Sequence, residues 1–240
     1  MSGSTRTPEN PRGLKDLPFR LPQVSENDKR RARRIAKSLA EHYPDAVCEL
    51  DYSQPHELLV ATILSAQATD VGVNKATPAL FARFPRPADY AASSPKEIEP
   101  YIKTIGLYRN KAKAVHAAMT VLVEEFGGEV PRTVEELTSL RGVARKTANV
   151  VLGNCFGIND GFVVDTHIQR FAQRFGLVEP GASVQQIERT LMALFPRDQW
   201  CVLSHRMIFH GRRACPARGG VCRDHPLCAG YGINCEKREA

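Results

Sequence analysis

The chain has 240 residues, 42% of them hydrophobic, enough to bury a core in one large domain or two small ones. A formal charge of +7 and a pI of about 9.1 point toward polyanionic partners. No apolar run approaches the roughly 18 residues of a membrane span, and no apolar leader stands at the N-terminus. Composition therefore excludes a membrane role and leaves a soluble, cytoplasmic protein as the expectation.

Residues 1–24 carry Pro8, Pro11, Pro18 and Pro22 among Ser, Thr and Gly, and read as a flexible tail. A helix begins near Ser25, with Asp28 in its first turn and a basic run through Lys29, Arg30, Arg31, Arg33, Arg34 and Lys37. Its apolar residues Ile35, Ala36, Leu39 and Ala40 share one face, and the charge run reads as a solvated face more readily than as a DNA contact. From Gln54 to Gly153 the pattern is one of successive short helices. Pro55 suits a first helical turn, and Leu58, Leu59, Ala61, Thr62 and Leu64 make a nearly all-round apolar helix that belongs at the centre of a core. Ser94 to Glu97, Thr133 to Glu136 and Ser183 to Gln186 have the spacing of capping boxes. Gly106, Gly127 and Gly176 follow helical stretches and read as left-handed helix ends. Alternation of period two is confined to fragments such as Phe162-Val163-Val164, so the expected fold is all-α.

Chemistry concentrates in three places. Two helical stretches are joined by Leu140-Arg141-Gly142-Val143-Ala144, and the second opens with Arg145-Lys146. Such a hairpin points free N–H groups and cations at phosphate, although alone it is equally an ordinary helix–helix turn. Lys146 is an amine that can attack a deoxyribose C1′ and leave a Schiff base. Attack needs the neutral amine, which a neighbouring cation such as Arg145 and partial desolvation favour. Nineteen residues later, Asp165 ends a short apolar segment and heads the helical run Thr166 to Phe175, where it serves as a cap and as a carboxylate for charge stabilisation or proton movement. Of seven cysteines, Cys215, Cys222, Cys228 and Cys235 crowd the C-terminal end, which suits a [4Fe–4S] cluster or a four-cysteine zinc site in a reducing compartment. Cys48, Cys155 and Cys201 lie in apolar helical patterns and read as small buried hydrophobes.

Four motifs in order, Leu64-Ser65-Ala66-Gln67-Ala68-Thr69-Asp70, Ile105 to Ala112, Gly142 to Leu152 and Val164-Asp165-Thr166-His167, resemble the endonuclease III family over roughly residues 30–235. These are helix-hairpin-helix DNA glycosylases with an associated lyase activity. The resemblance implies two α-helical domains flanking a cleft: a barrel over residues 48–158 that bears the hairpin, and a cluster domain from residues 25–47 and 159–240. It implies Lys146 as nucleophile and Asp165 as essential carboxylate. Gln67 and Leu107 would enter the duplex when a damaged nucleotide is flipped out, and Arg141, Gly142, Val143, Ala144 and Arg145 would grip the DNA backbone. Asp70 would support the site or cap the next helix. His167 would be structural or touch DNA. The implied activity is removal of oxidised pyrimidines from damaged double-stranded DNA and strand cleavage by β-elimination, by a monomer carrying a [4Fe–4S] cluster. A non-catalytic binding module and a paralogue of narrowed lesion range are the alternatives.

The chain departs from the family pattern in four places. The family spacing C-x6-C-x2-C-x5-C falls on His225 and Tyr231 for the third and fourth ligands. Either a short insertion makes these Cys228 and Cys235, or His225 is a ligand and one later cysteine is left out. One residue is inserted around Asn159-Asp160-Gly161. Arg141 stands in place of a common Pro, and Ala144 in place of a common Gly, at a cost of roughly 1 kcal/mol if that position needs a positive φ.

Overall fold

A computed structural model places residues 17–218, 224–233 and 235, and among these the regular structure is helical, with no strand. No helix among them is long and apolar enough to cross a membrane. The chain forms two compact units, one from Cys48 to Ile158 and one from Met1–Val47 together with Asn159–Ala240.

The Cys48–Ile158 unit contains α2 (Pro55–Ser65), α3 (Asp70–Arg83), α4 (Pro87–Ala91), α5 (Pro95–Ile102), α6 (Tyr108–Phe126), α7 (Val134–Ser139) and α8 (Arg145–Phe156). Every residue of α2 from Leu58 to Leu64 is buried. A helix apolar on all sides must be covered on all sides, and α3, α6 and α8 all pack against it. Its start is set by Pro55 at the first position and by Glu57, whose Oε2 accepts from the backbone N–H groups of Ser53 and Gln54 at 2.6 and 3.1 Å. The 19 residues of α6 make one long helix where the sequence suggested short ones. Its apolar residues Ala112, Val115, Ala118, Met119 and Leu122 keep helical spacing, so one face stays buried through the middle of the helix.

The capping box at Ser183 is complete, and at Ser94 the Glu97 carboxylate accepts from the Ser94 backbone N–H at 2.8 Å. At Thr133 only half forms: its Oγ1 accepts from the Glu136 N–H, but the Glu136 carboxylate takes the Thr133 hydroxyl. Gly127 and Gly176 end helices in the left-handed region, at φ +61° and +56°. Gly106 does not. There α5 stops at Ile102, and Leu107 takes the left-handed conformation while its carbonyl accepts from the Asn110 and Lys111 N–H groups to start α6.

The second unit contains α1 (Glu26–His42), α9 (Thr166–Arg174), α10 (Val184–Leu194), a 3₁₀ turn at Arg197–Gln199, α11 (Trp200–Arg213) and α12 (Pro226–Tyr231). Trp200, Phe171, Phe175, Ile35, Leu39 and Met207 are among the side chains of its core. The basic run of α1 is not uniformly solvated. Arg33, Arg34 and Lys37 are exposed, but Arg31 Nη2 donates to the Phe175 and Tyr231 carbonyls at 2.6 and 2.7 Å. Those two carbonyls end α9 and α12, where a cation offsets orphan acceptors. The Asn159–Asp160 segment, where the family pattern implies an inserted residue, is held by α11 and the turn before it. Asn159 Oδ1 accepts from the Cys201 N–H, and Arg197 pairs with Asp160 at 2.7 Å with both side chains largely buried. Cys48, Cys155 and Cys201 are half-buried rather than fully buried, and Cys48 lies outside any helix.

Candidate active site and metal centre

The hairpin between α7 and α8 turns on two buried anchors, Leu140 and Val143, with the Val143 N–H donating to the Leu140 carbonyl at 3.1 Å. Gly142 sits at φ +85°, and a Cβ added there would lie 3.0 Å from the Ala114 Cβ of α6. Glycine is thus required by backbone conformation and by packing inside the unit, besides any approach to a ligand. Gly142→Ala is expected to lower stability by about 1–2 kcal/mol from the left-handed strain alone, read as a fall in the thermal midpoint. Ala144 has φ −92° and ψ 166°, an extended conformation open to any residue, so the strain expected at this position does not arise.

Around these anchors the hairpin is open. Arg141, Gly142, Ala144 and Lys146 are exposed and Arg145 is half-buried. Ala144 offers no side-chain cap, and the first turn of α8 has no acidic residue. A helix start built for stability has a capping oxygen and an acid. This one has no side-chain cap, no acid and two cations, the composition of an anion site.

Gln67 and Leu107 are the only non-glycine residues with positive φ among the described residues, at 55° and 60°. Both side chains are exposed, Leu107 at 59%. Each conformation costs on the order of 1 kcal/mol and persists only where the surrounding structure enforces it. Asp70 is the first residue of α3, and the cap there is Thr69, whose Oγ1 accepts from the Gly72 N–H.

In the other unit, Asp165 caps α9. Its Oδ1 accepts from the N–H groups of both His167 and Ile168, at 2.9 and 2.8 Å, which leaves the second oxygen unused by the cap. Arg170 Nη2 lies 3.0 Å from His167 Nδ1 and donates to the Gly211 carbonyl, and Arg170 Nε donates to the Cys215 carbonyl. His167 is therefore built into the link between α9 and the end of α11.

The cysteines gather at that end. Cys215 and Cys228 are buried, Cys235 is half-buried, and Cys222 lies outside the described residues. The Sγ atoms of Cys215 and Cys228 and a ring nitrogen of His210 all lie within 4.8 Å of one another. Arg174 Nη1 donates to Cys215 Sγ at 3.0 Å, and His210 Nε2 lies 3.1 Å from Cys228 Sγ. Gly232 makes room: a Cβ there would come within 2.5 Å of Cys235 Sγ and 2.6 Å of the Cys228 carbonyl. Buried sulfurs with a guanidinium N–H on one and an imidazole nitrogen beside the other suit thiolates, and this donor set fits a thiolate-held metal centre.

His225 does not face that group as a ligand would. Its Nδ1 accepts from the Leu227 N–H at 3.2 Å, and its Nε2 lies 3.3 Å from Tyr43 Oη. Burial holds its pKa below the usual histidine value, so the ring is neutral. Burial, reinforced by the nearby Cys228, pushes the Tyr43 hydroxyl up to about 12, so it stays protonated. No motif or spacing in the sequence points to Tyr43 or Arg174. Only His210, five residues before Cys215, carried even a weak signal.

Three comparisons bear on this arrangement. Residues 60–197 match the HhH-GPD superfamily of base excision DNA repair proteins. Endonuclease III of Synechocystis is 52% identical over 199 residues, covering 83% of this chain and 90% of that protein, and endonuclease III of Bacillus subtilis is 46% identical over 189 residues, covering 79% and 86%. The structure of a trapped endonuclease III–DNA covalent intermediate superposes with a TM-score of 0.81 at 42% identity, over 88% of this chain and 97% of that one.

Proposed function

Since the chain belongs to the endonuclease III family of the HhH-GPD superfamily of base excision DNA repair proteins, we propose that Lys146 is the nucleophile with which it opens damaged DNA. The protein is a DNA glycosylase and abasic-site lyase, and its partner is DNA. The observation that carries the proposal is the start of α8: an exposed amine in the first turn of an uncapped, acid-free helix that follows a tight Gly142 turn. A phosphate drawn to the positive, uncapped start of α8 would bring a sugar to that amine.

The chemistry then runs on the chain's own groups. The Lys146 nitrogen bonds to C1′ as the glycosidic C1′–N bond breaks, and the base leaves with the electron pair and gains a proton. Ring opening gives the imine, loss of a C2′ proton follows, and the 3′ phosphate is expelled by β-elimination. Asp165, through the oxygen the α9 cap does not use, stabilises positive charge growing on the sugar and receives a proton. Arg141 adds a cation beside the hairpin. The two strained positions, Gln67 and Leu107, fill the gap left by an extruded nucleotide. The substrate class is oxidised pyrimidines in duplex DNA.

We further propose that Cys215, Cys222, Cys228 and Cys235 hold a [4Fe–4S] cluster. The closeness of Cys215 and Cys228, with Cys235 Sγ packed at the Gly232 cradle beside the Cys228 carbonyl, supports cysteine ligation over a His225 ligand, since both ring nitrogens of His225 are engaged elsewhere. When bound, the cluster supplies a rigid fold for the segment after α11 and a redox-active centre.

Two tests follow. Borohydride trapping on a duplex with one thymine glycol should give a covalent adduct that an undamaged duplex does not; an abasic duplex trapped without the thymine glycol one would place base removal on another lesion class. Leu107→Gly should separate stability from activity. Relief of left-handed strain offsets the extra entropy of glycine in the unfolded chain, so the thermal midpoint should stay level or rise slightly. Base removal should fall by about tenfold or more, because unstacking a base costs a few kcal/mol and about 1.4 kcal/mol is already tenfold. Equal activity of Leu107→Gly and wild type on the lesion duplex would remove Leu107 from the extrusion step.

A further inference from the structure

A chain of polar groups from three distant segments ends on one cysteine of the metal centre. It runs from the first turn of α12 through His225, Tyr43 at the end of α1, and His210 of α11 to Cys228. The spacings are 3.2 Å from the Leu227 nitrogen to His225 Nδ1, 3.3 Å from His225 Nε2 to Tyr43 Oη, 3.0 Å from Oη to His210 Nδ1, and 3.1 Å from His210 Nε2 to Cys228 Sγ. The Tyr43 and His225 rings stack at an interplanar angle of 6°, and His210 is fully buried.

The direction of every proton follows from the first link. A backbone N–H only donates, so His225 Nδ1 presents a lone pair. A neutral imidazole with a bare Nδ1 carries its proton on Nε2, which donates to Tyr43 Oη. The single Tyr43 proton is then free for His210 Nδ1, and that acceptance places the His210 proton on Nε2. His210 Nε2–H therefore points at Cys228 Sγ.

We infer that Tyr43 and His210 are positioning residues of the metal centre: a one-way hydrogen-bond relay locks the His210 tautomer so that it donates an N–H to the Cys228 thiolate and is not itself a ligand. The relay also gives His225 a role at the position where the family spacing would put a ligand: it anchors the far end and orders the protons. Donation to a ligand sulfur favours the electron-rich state of a bound cluster, so the relay raises its reduction potential.

The inference rests on the metal-centre reading above, and the test keeps the two apart. Iron and zinc are first counted in the purified full-length protein; absence of iron sinks the cluster reading whatever the histidines do. The relay is then read from nitrogen-15-labelled histidine in the protein as purified, through long-range proton–nitrogen correlations. His210 is expected to carry its proton on Nε2 alone. A proton on Nδ1, with or without one on Nε2, or a bare Nε2, overturns the relay. Tyr43→Phe keeps the ring and removes the hydroxyl. It should retain wild-type metal content, populate the other His210 tautomer and, for an iron–sulfur centre, lower the reduction potential. An unchanged His210 tautomer in Tyr43→Phe overturns the relay, and so does an unchanged potential when the cluster is present.

Discussion

Lys146→Ala is expected to abolish borohydride trapping on both an abasic-site duplex and a thymine glycol duplex, and to reduce base removal and strand cleavage by about 10³-fold or more, the scale seen when a covalent nucleophile is lost. The fold should not suffer. Lys146 is exposed on the first turn of α8 and is followed by the buried Ala148, which anchors the helix. Surface substitutions of this kind stay within about 0.5 kcal/mol. Here the sign should favour the variant by a few tenths, because a cation at the positive end of a helix is unfavourable and Ala is the best helix former. A variant that melts no lower than wild type, binds the abasic duplex and forms no adduct would assign the covalent step to this amine. An adduct that survives in Lys146→Ala would transfer that role to another amine.

Asp165→Asn should separate two jobs that one carboxylate performs. As the cap of α9, Asp165 accepts two backbone N–H groups on Oδ1. Asn caps about as well as Asp, so the thermal midpoint of Asp165→Asn should lie near wild type, whereas Asp165→Ala should lose about 1 kcal/mol of cap. As a catalytic group the carboxylate contributes charge and a proton acceptor, and the amide contributes neither. Both variants should therefore lose about 10²–10⁴-fold in turnover, the usual range for general acid–base assistance. Measured together, the pair is decisive: equal losses of activity with unequal losses of stability assign catalysis to the charge. Should Asp165→Asn turn over at the wild-type rate, Asp165 would be a cap and nothing more.

The hairpin shows where the sequence was informative. Gly142 was legible as a turn glycine, and the structure confirms a positive φ there, yet half of its necessity is the Ala114 side chain of α6, 28 positions earlier in the chain. Ala144 in place of glycine would be strained only at a positive φ, and it is not, because the left-handed position in this turn is Gly142 and the residue two places on is already extended. The left-handed residue before α6 was assigned to Gly106 and falls on Leu107. Propensity favours glycine, but the start of α6 requires the Leu107 carbonyl as first acceptor, and tertiary packing holds an unfavourable residue in place.

What the sequence determined by itself was what neighbouring residues decide. The all-round apolar run of α2, the caps at Ser94, Ser183 and Asp165, and the all-α class all follow from interactions within a few positions of one another. The motifs around Gln67, Leu107, Lys146 and Asp165 were equally local, and they carried the family. Only the tertiary structure decided the links between distant segments: Arg31 on the ends of α9 and α12, Arg174 on Cys215, and Tyr43 on His210 across 167 positions. Buried polar groups must find partners wherever packing brings them, and no periodicity or spacing in the chain encodes which histidine will meet which sulfur.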